Sequence, residues 1–113
     1  MPAKPRPLGD LEELVMLAVL RLGADAWGAR IRDELKEHAG RSVSISTVYV
    51  TLMRLEEKGL SHSWLGEPTG ERGGKAKRHF QVRPEGMAAL EASRETRERM
   101  WAGVRSGGEA HAG

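Results

Sequence analysis

Residues 66–83, GEPTGERGGKAKRHFQVR, hold the densest chemistry in the sequence. Glycine and proline crowd the first half. Arg72, Lys75, Lys77, Arg78 and Arg83 then follow with no acid among them. The run GERGGKA suggests a phosphate-binding loop. A nucleotide-binding P-loop requires GxxxxGK followed by Ser or Thr, set between a strand and a helix. Here three residues separate Gly70 from Gly74, and Ala76 stands where the Mg²⁺-binding hydroxyl belongs. A strand pattern follows, where a helix N-terminus should cradle the phosphates. These departures argue against a nucleotide, but not against the phosphates of a polymer. Glycines let a loop tip approach a duplex closely, and cations meet its backbone, contacts that fix position without reading sequence.

The remaining reactive residue types form no site. His38, His62, His79 and His111 are scattered, and none pairs with another at i+3 or i+4. Glu34 and His38 share a helical face, but two ligands make a poor metal site. Ser42, Ser44, Ser46, Ser61 and Ser63 fall at helix starts and strands, and none sits in a GxSxG elbow. The adjacent pairs Glu12/Glu13 and Glu56/Glu57 point about 100° apart on a helix and cannot share a substrate. No catalysis, metal or cofactor is expected.

The chain of 113 residues suits one domain. It contains no cysteine, which excludes disulfides and thiolate metal sites. MPAKPRP lacks the apolar segment of a signal peptide. The longest apolar run, Leu14–Leu20, is far short of the ~20 residues that span a bilayer. A soluble cytoplasmic protein with no membrane partner is expected. Net charge is +2, and the excess lies in residues 25–83, with eleven basic and eight acidic groups. A local basic stripe points to a polyanion.

The elements that must carry this stripe are legible in the pattern. Three prolines keep residues 1–9 a basic arm, with Lys4 and Arg6. Asp10 with Glu13 three residues on reads as a capping box for LEELVMLAVLRL, ended by Gly23. Leu11, Leu14, Val15, Ala18 and Leu22 fall at helical spacing, yet Leu14–Leu20 is apolar on every side. A helix of that kind must be covered all round, which a second copy of the chain would accomplish. Asp25 reads as the cap of a second helix with Trp27, Ile31 and Leu35 inward, stopped by Gly40. Ser44 or Ser46 caps a third, ISTVYVTLMRLEEKGL, with Ile45, Val48, Leu52 and Leu55 inward. Thr47, Tyr49, Val50 and Arg54 lie toward the other side. LSHSWLG and RHFQV read as strands of a hairpin around the glycine-rich loop. Pro84 opens a last helix bearing Met87, Leu90, Met100 and Trp101, and RSGGEAHAG reads as a disordered tail. The fold class is mainly α with a small β-hairpin wing: a winged helix-turn-helix (10–83), a C-terminal dimerisation helix (84–104) and a tail (105–113).

These pieces resemble the PadR family of bacterial transcriptional regulators over about residues 8–101, and the small members with a single C-terminal helix most of all. The most specific stretch runs from Ser44 through Gly86, with the TVY step, the RLEEKGL helix end and the GERGGKAKR wing. The resemblance implies a winged-helix homodimer that represses transcription from an inverted-repeat operator in double-stranded DNA. The first and last helices would build the dimer and the third would read the major groove. Three positions depart from the family pattern: Val50 follows Tyr49 where Pro or Ala is common, Ala29 replaces a frequent aromatic, and Arg83 replaces the usual capping Thr.

The DNA-binding residues expected on this reading are Ser44, Ser46, Thr47, Tyr49, Val50 and Arg54 on the third helix and Arg72, Lys75, Lys77 and Arg78 on the wing. The expected dimer interface is Leu11, Leu14, Val15, Ala18, Leu22, Leu90, Met100 and Trp101. In small relatives an aromatic of the last helix lines a drug-binding pore at the dimer axis, so the resemblance also implies a flat aromatic or hydrophobic effector at Met100 and Trp101. Simple packing of Trp101 on the partner's first helix is the plainer alternative. The rival from another class is a dimeric winged-helix adaptor that binds protein and ignores duplex DNA.

Overall fold

The computed structural model describes residues 8–67 and 76–111, with side chains as far as residue 104. In chain order come α1 (Asp10–Leu22), a single 3₁₀ turn (Gly23–Asp25), α2 (Gly28–Ala39), α3 (Ile45–Glu57), β1 (Ser61–Leu65), β2 (Arg78–Val82) and α4 (Pro84–His111). The strands pair antiparallel, from Ser61 opposite Val82 to Leu65 opposite Arg78. This is the expected mainly helical fold with a two-stranded hairpin.

The core lies where α1, α2 and α3 meet under the hairpin. Met16, Ile31, Leu35, Leu52, Leu55, Val15 and Val48 are fully buried there, and Phe80 closes the core from β2. Each such side chain contributes roughly 1.5–3 kcal/mol by leaving water. Ion pairs tie the rims. Arg21 Nε donates to Glu34 at 2.7 Å between α1 and α2, and Lys58 Nζ reaches both Glu12 oxygens at 2.8 and 2.7 Å between α1 and the end of α3.

Three details differ from the sequence reading. Gly9, not Asp10, is the N-cap of α1, and Glu12 rather than Glu13 reaches back to the Gly9 N–H at 2.8 Å. Glycine has no side chain to return the bond, so only half of a capping box forms. Asp25 does not cap α2. It ends the 3₁₀ turn, because the chain first extends through Trp27 to bridge His79 of β2. Helical backbone also continues in α4 to His111, past the expected boundary at residue 104. No proline follows Pro84, and each glycine in the segment costs a helix only about 1 kcal/mol.

Two glycines are fixed by close approach. A Cβ on Gly86 would collide with the Leu60 carbonyl oxygen, so the first turn of α4 is pressed onto the hairpin's base. A Cβ on Gly28 would stand 2.6 Å from the Tyr49 hydroxyl oxygen, so the phenol lies flat over the start of α2.

Candidate nucleic-acid interface

Ser44 settles the start of α3. Its Oγ accepts from the Thr47 N–H at 3.1 Å, the bond expected of an N-cap hydroxyl. The Thr47 hydroxyl lies 2.9 Å from Ser44 Oγ, so these two side chains bond each other at the helix mouth. Ser46 is therefore not the cap but an exposed first-turn residue. Thr51, buried in the inner face, donates to the Thr47 carbonyl at 2.8 Å and so leaves no unpaired hydroxyl in the core.

With Val48, Thr51, Leu52 and Leu55 buried, the opposite face is fixed by the helical period. Its centre is Ser46, Val50, Met53 and Glu57, all exposed, with Val50 at 47% and Met53 at 60%. Thr47 and Arg54 flank it on the side of α1. Tyr49 flanks it on the side of α2 and the hairpin, its ring 6.2 Å from that of Phe80. The expected residues are thus together on one surface, but Arg54 is off centre, in a cleft with Glu12, Glu57 and Lys58. Met53 and Glu57 were missed. The spacing of Ser46, Val50, Met53 and Glu57 was the available signal, but an apolar Met reads as core by composition.

The loop end of the hairpin's ladder is moored rather than loose. His79 stacks on Trp64 (5.7 Å between centroids) and meets Trp27 edge-on (5.6 Å). Its Nδ1 lies 3.1 Å from the Ala24 carbonyl, which only accepts, so that nitrogen carries the proton. Lys77 Nζ sits 4.2 Å above the Trp27 ring, a cation–π contact. Arg78 donates across the hairpin to Ser63 Oγ at 3.1 Å. Arg72 and Lys75, like Lys4 and Arg6 of the arm, lie outside the described residues.

Electrostatics tie the end of α3 to α1. Burial raises the Glu12 carboxyl, but hydrogen bonds from Lys58 and the Gly9 N–H, with the charges of Lys58 and Arg54, outweigh it and hold the group below its ordinary value. Glu34 is likewise lowered, chiefly by its hydrogen bond from Arg21.

The interface residues expected on α1 require correction. Val15 and Ala18, 0% and 3% exposed, face the chain's own core and have no surface to offer a partner. Leu90 is largely buried but lines the groove between α1 and α4. Leu11, Leu14 and Leu22 are half-buried against that core. The outer stripe of α1 is instead Leu17 and Leu20, exposed at 44% and 42%, residues the spacing argument passed over. With Met87 and Trp101 of α4 they line an apolar groove of about 420 Å³ between α1 and α4. Met100 and Val104 stand exposed beyond it.

The family model for the transcriptional regulator PadR-like family matches residues 16–92. The chain belongs to that family. It is a DNA-binding transcriptional regulator of the PadR type. A search of curated protein sequences returns no match. Similar solved structures include a transcriptional regulator from Clostridium thermocellum (17% identity, TM-score 0.66, 85% of this chain and 87% of that one). A PadR family regulator from Clostridium difficile is similar at 24% identity and TM-score 0.65, over 87% of this chain and 97% of that one. A third, from Eggerthella lenta, has 26% identity and TM-score 0.63, over 86% and 84%. Among the described residues no helix is long and apolar enough to cross a membrane, and no group of three or more His, Asp or Glu is placed to hold a metal.

Proposed function

We propose that this PadR-type regulator acts in the cytoplasm as a homodimeric repressor on an inverted-repeat operator. The observation that carries the reading is the outward face of α3, which is capped, exposed and set beside a moored basic hairpin. Ser46 and Thr47 at the helix mouth donate to phosphate. Val50 and Met53 are apolar and exposed, and in a major groove such groups meet thymine methyls. Arg54 reaches a base edge or phosphate near the helix end. Arg72, Lys75, Lys77 and Arg78 of the wing meet the flanking backbone. The dimer forms across Leu17, Leu20, Met87 and Trp101, burying more than ~2,000 Å² of largely apolar surface in the manner of obligate dimers. Its two α3 helices lie roughly 34–36 Å apart, one turn of B-DNA.

Binding to duplexes across a salt series tests the reading. Lys75→Ala with Lys77→Ala should weaken all duplexes about equally and lower the log–log salt slope by about one unit per lost phosphate contact. Changes at Thr47, Tyr49 or Met53 should alter the preference among sequences. A dimer that ignores duplex DNA at moderate salt would be a protein adaptor instead.

Met100 and Trp101, 70% and 61% exposed on adjacent positions of α4, support an effector site for a flat hydrophobic compound between the two α4 helices. Such a compound should quench Trp101 in a Trp27→Phe/Trp64→Phe background and lower operator affinity by the reciprocal factor. Quenching without any change in DNA affinity would leave Trp101 a packing residue.

A further inference from the structure

Glu13 projects from α1 toward α4 with only 17% of its side chain exposed. The Ser93 hydroxyl donates to Glu13 Oε1, and Arg97 Nη1 donates to the same oxygen at 3.0 Å. Arg97 also donates to Ser93 Oγ, which closes a triangle across the two helices. Ser93 and Arg97 are one helical turn apart, so a single carboxylate gathers both.

The rest of α4 explains why this triangle matters. Among its described side chains only Gly86 and Leu90 are buried, with Ala89 and Ser93 half-buried. Gly86 and Leu90 lie in the first two turns. A helix held only there is free to pivot on them. Arg97 lies seven residues past Leu90, or about 10 Å along the axis. Over that length a tilt of about 10° displaces the helix by roughly 1.8 Å, about half a base-pair rise, and by more toward its end. Apolar contacts tolerate such sliding, whereas charge-assisted hydrogen bonds are short and directional.

We infer that Glu13, Ser93 and Arg97 set the angle at which α4 leaves its own chain, and thereby the half-site spacing that the regulator accepts. The inference rests on the dimeric operator reading above. The three act as positioning residues, since none lies on the α3 face. Two helices that carry the dimer and the reader on one rigid body transmit any change of α4 angle directly to the separation of the two α3 helices.

The test uses Glu13→Gln, Ser93→Ala and the conservative Arg97→Lys. Each is measured against duplexes that differ only in the number of base pairs between half-sites. In parallel, the distance between spin labels on Ser42→Cys is recorded in the DNA-free dimer, which the cysteine-free chain permits without other changes. The unaltered protein should prefer one spacer over its neighbours by about tenfold, within the range of a coupled polar network. Glu13→Gln and Ser93→Ala should stay folded and dimeric, bring neighbouring spacers near parity and widen the distance distribution. Arg97→Lys should retain part of the preference. Unchanged spacer profiles and distance widths in both deletions would overturn the inference. Should Glu13→Gln fail to fold, Ser93→Ala alone decides. No distance between labels in Ser42→Cys with Glu13, Ser93 and Arg97 intact would instead remove the dimer, and the inference with it.

Discussion

α3 and α4 are held in opposite ways. The 13 residues of α3 bury Val48, Thr51, Leu52 and Leu55 inside their own chain. The 28 residues of α4 bury only Gly86 and Leu90 among the described side chains, and then present Met100, Trp101 and Val104 to solvent. A reader must hold its side chains still before DNA arrives, so its fold is settled within one chain. On the dimeric reading proposed above, α4 would complete its packing on a second copy, its own chain fixing only its root and its angle. α1 has both characters: Val15, Met16, Ala18 and Val19 belong to the body, while Leu17 and Leu20 face outward.

That division of α1 offers the largest effect. Val15→Glu buries a charge with no partner in a fully enclosed site, and should abolish the folded state at 25 °C, since such a burial costs several kcal/mol against a marginal total. Leu17→Glu places the same group on the surface. It should leave circular dichroism and thermal unfolding of the body nearly intact while sedimentation shows monomers with weak DNA binding. If Leu17→Glu unfolds the chain as Val15→Glu does, the body does not stand alone and the contrast with α3 fails.

Next comes the root of α4. Gly86→Ala drives a methyl group into the Leu60 carbonyl. Backbone must shift, and overpacking of this kind costs about 1–3 kcal/mol. The loss should be accompanied by weaker dimerisation, because the first turn of α4 is displaced from the hairpin. An equal loss of stability with unchanged dimerisation would show that α4 is aimed by the Glu13 triangle alone.

The pair Glu12–Lys58 ties α1 to the end of α3. The Glu12 carboxyl is held below its ordinary value of 4.5, so the folded state favours its charged form. A depressed carboxylate contributes stability that is present above the unfolded value and lost as pH falls through the folded one. Stability should therefore decline below about pH 4.5, and part of that decline should be absent in Lys58→Met. At neutral pH the variant should lose about 1.5–3 kcal/mol, the range for a hydrogen bond to a charged group. An acid limb identical in both proteins would assign the loss to other carboxylates.

The sequence made α3 more legible than α4 for a physical reason. Ile45, Val48, Leu52 and Leu55 carry a helical period because one face meets a core, and the hydroxyl of Ser44 marks the start. Gly40 and Gly59 mark the ends of their helices, both at positive φ (63° and 75°). Leu14–Leu20 has no period to read, since both faces of α1 are apolar. Which residues turn outward is decided by how α2 and α3 pack, and spacing alone does not separate Val15 and Ala18, which face the core, from Leu17 and Leu20, which do not. Trp27 was read as the inward start of α2, but its role is set by His79, 52 residues away in the chain. The Glu13–Ser93–Arg97 triangle joins residues far apart in a stretch that looks simply charged, so nothing local announces it.

The smallest effect concerns Lys77. Its ammonium lies 4.2 Å over the Trp27 ring and is exposed, so the contact is worth about 0.5–1 kcal/mol at most. Lys77→Ala should therefore change thermal stability by no more than that. The consequence for DNA is separable. An indole face uses one side of the ammonium and leaves its remaining donors for phosphate, in a position already restricted before binding. If Lys77 works in this way, Lys77→Ala alone lowers the log–log salt slope by about one unit, the signature of one lost phosphate contact. Trp27→Leu should keep that unit of slope, because the charge is still present, yet weaken binding slightly by letting the side chain roam. A slope unchanged by Lys77→Ala would mean that the cation only moors the hairpin, and that the phosphate contacts of the wing lie elsewhere along it.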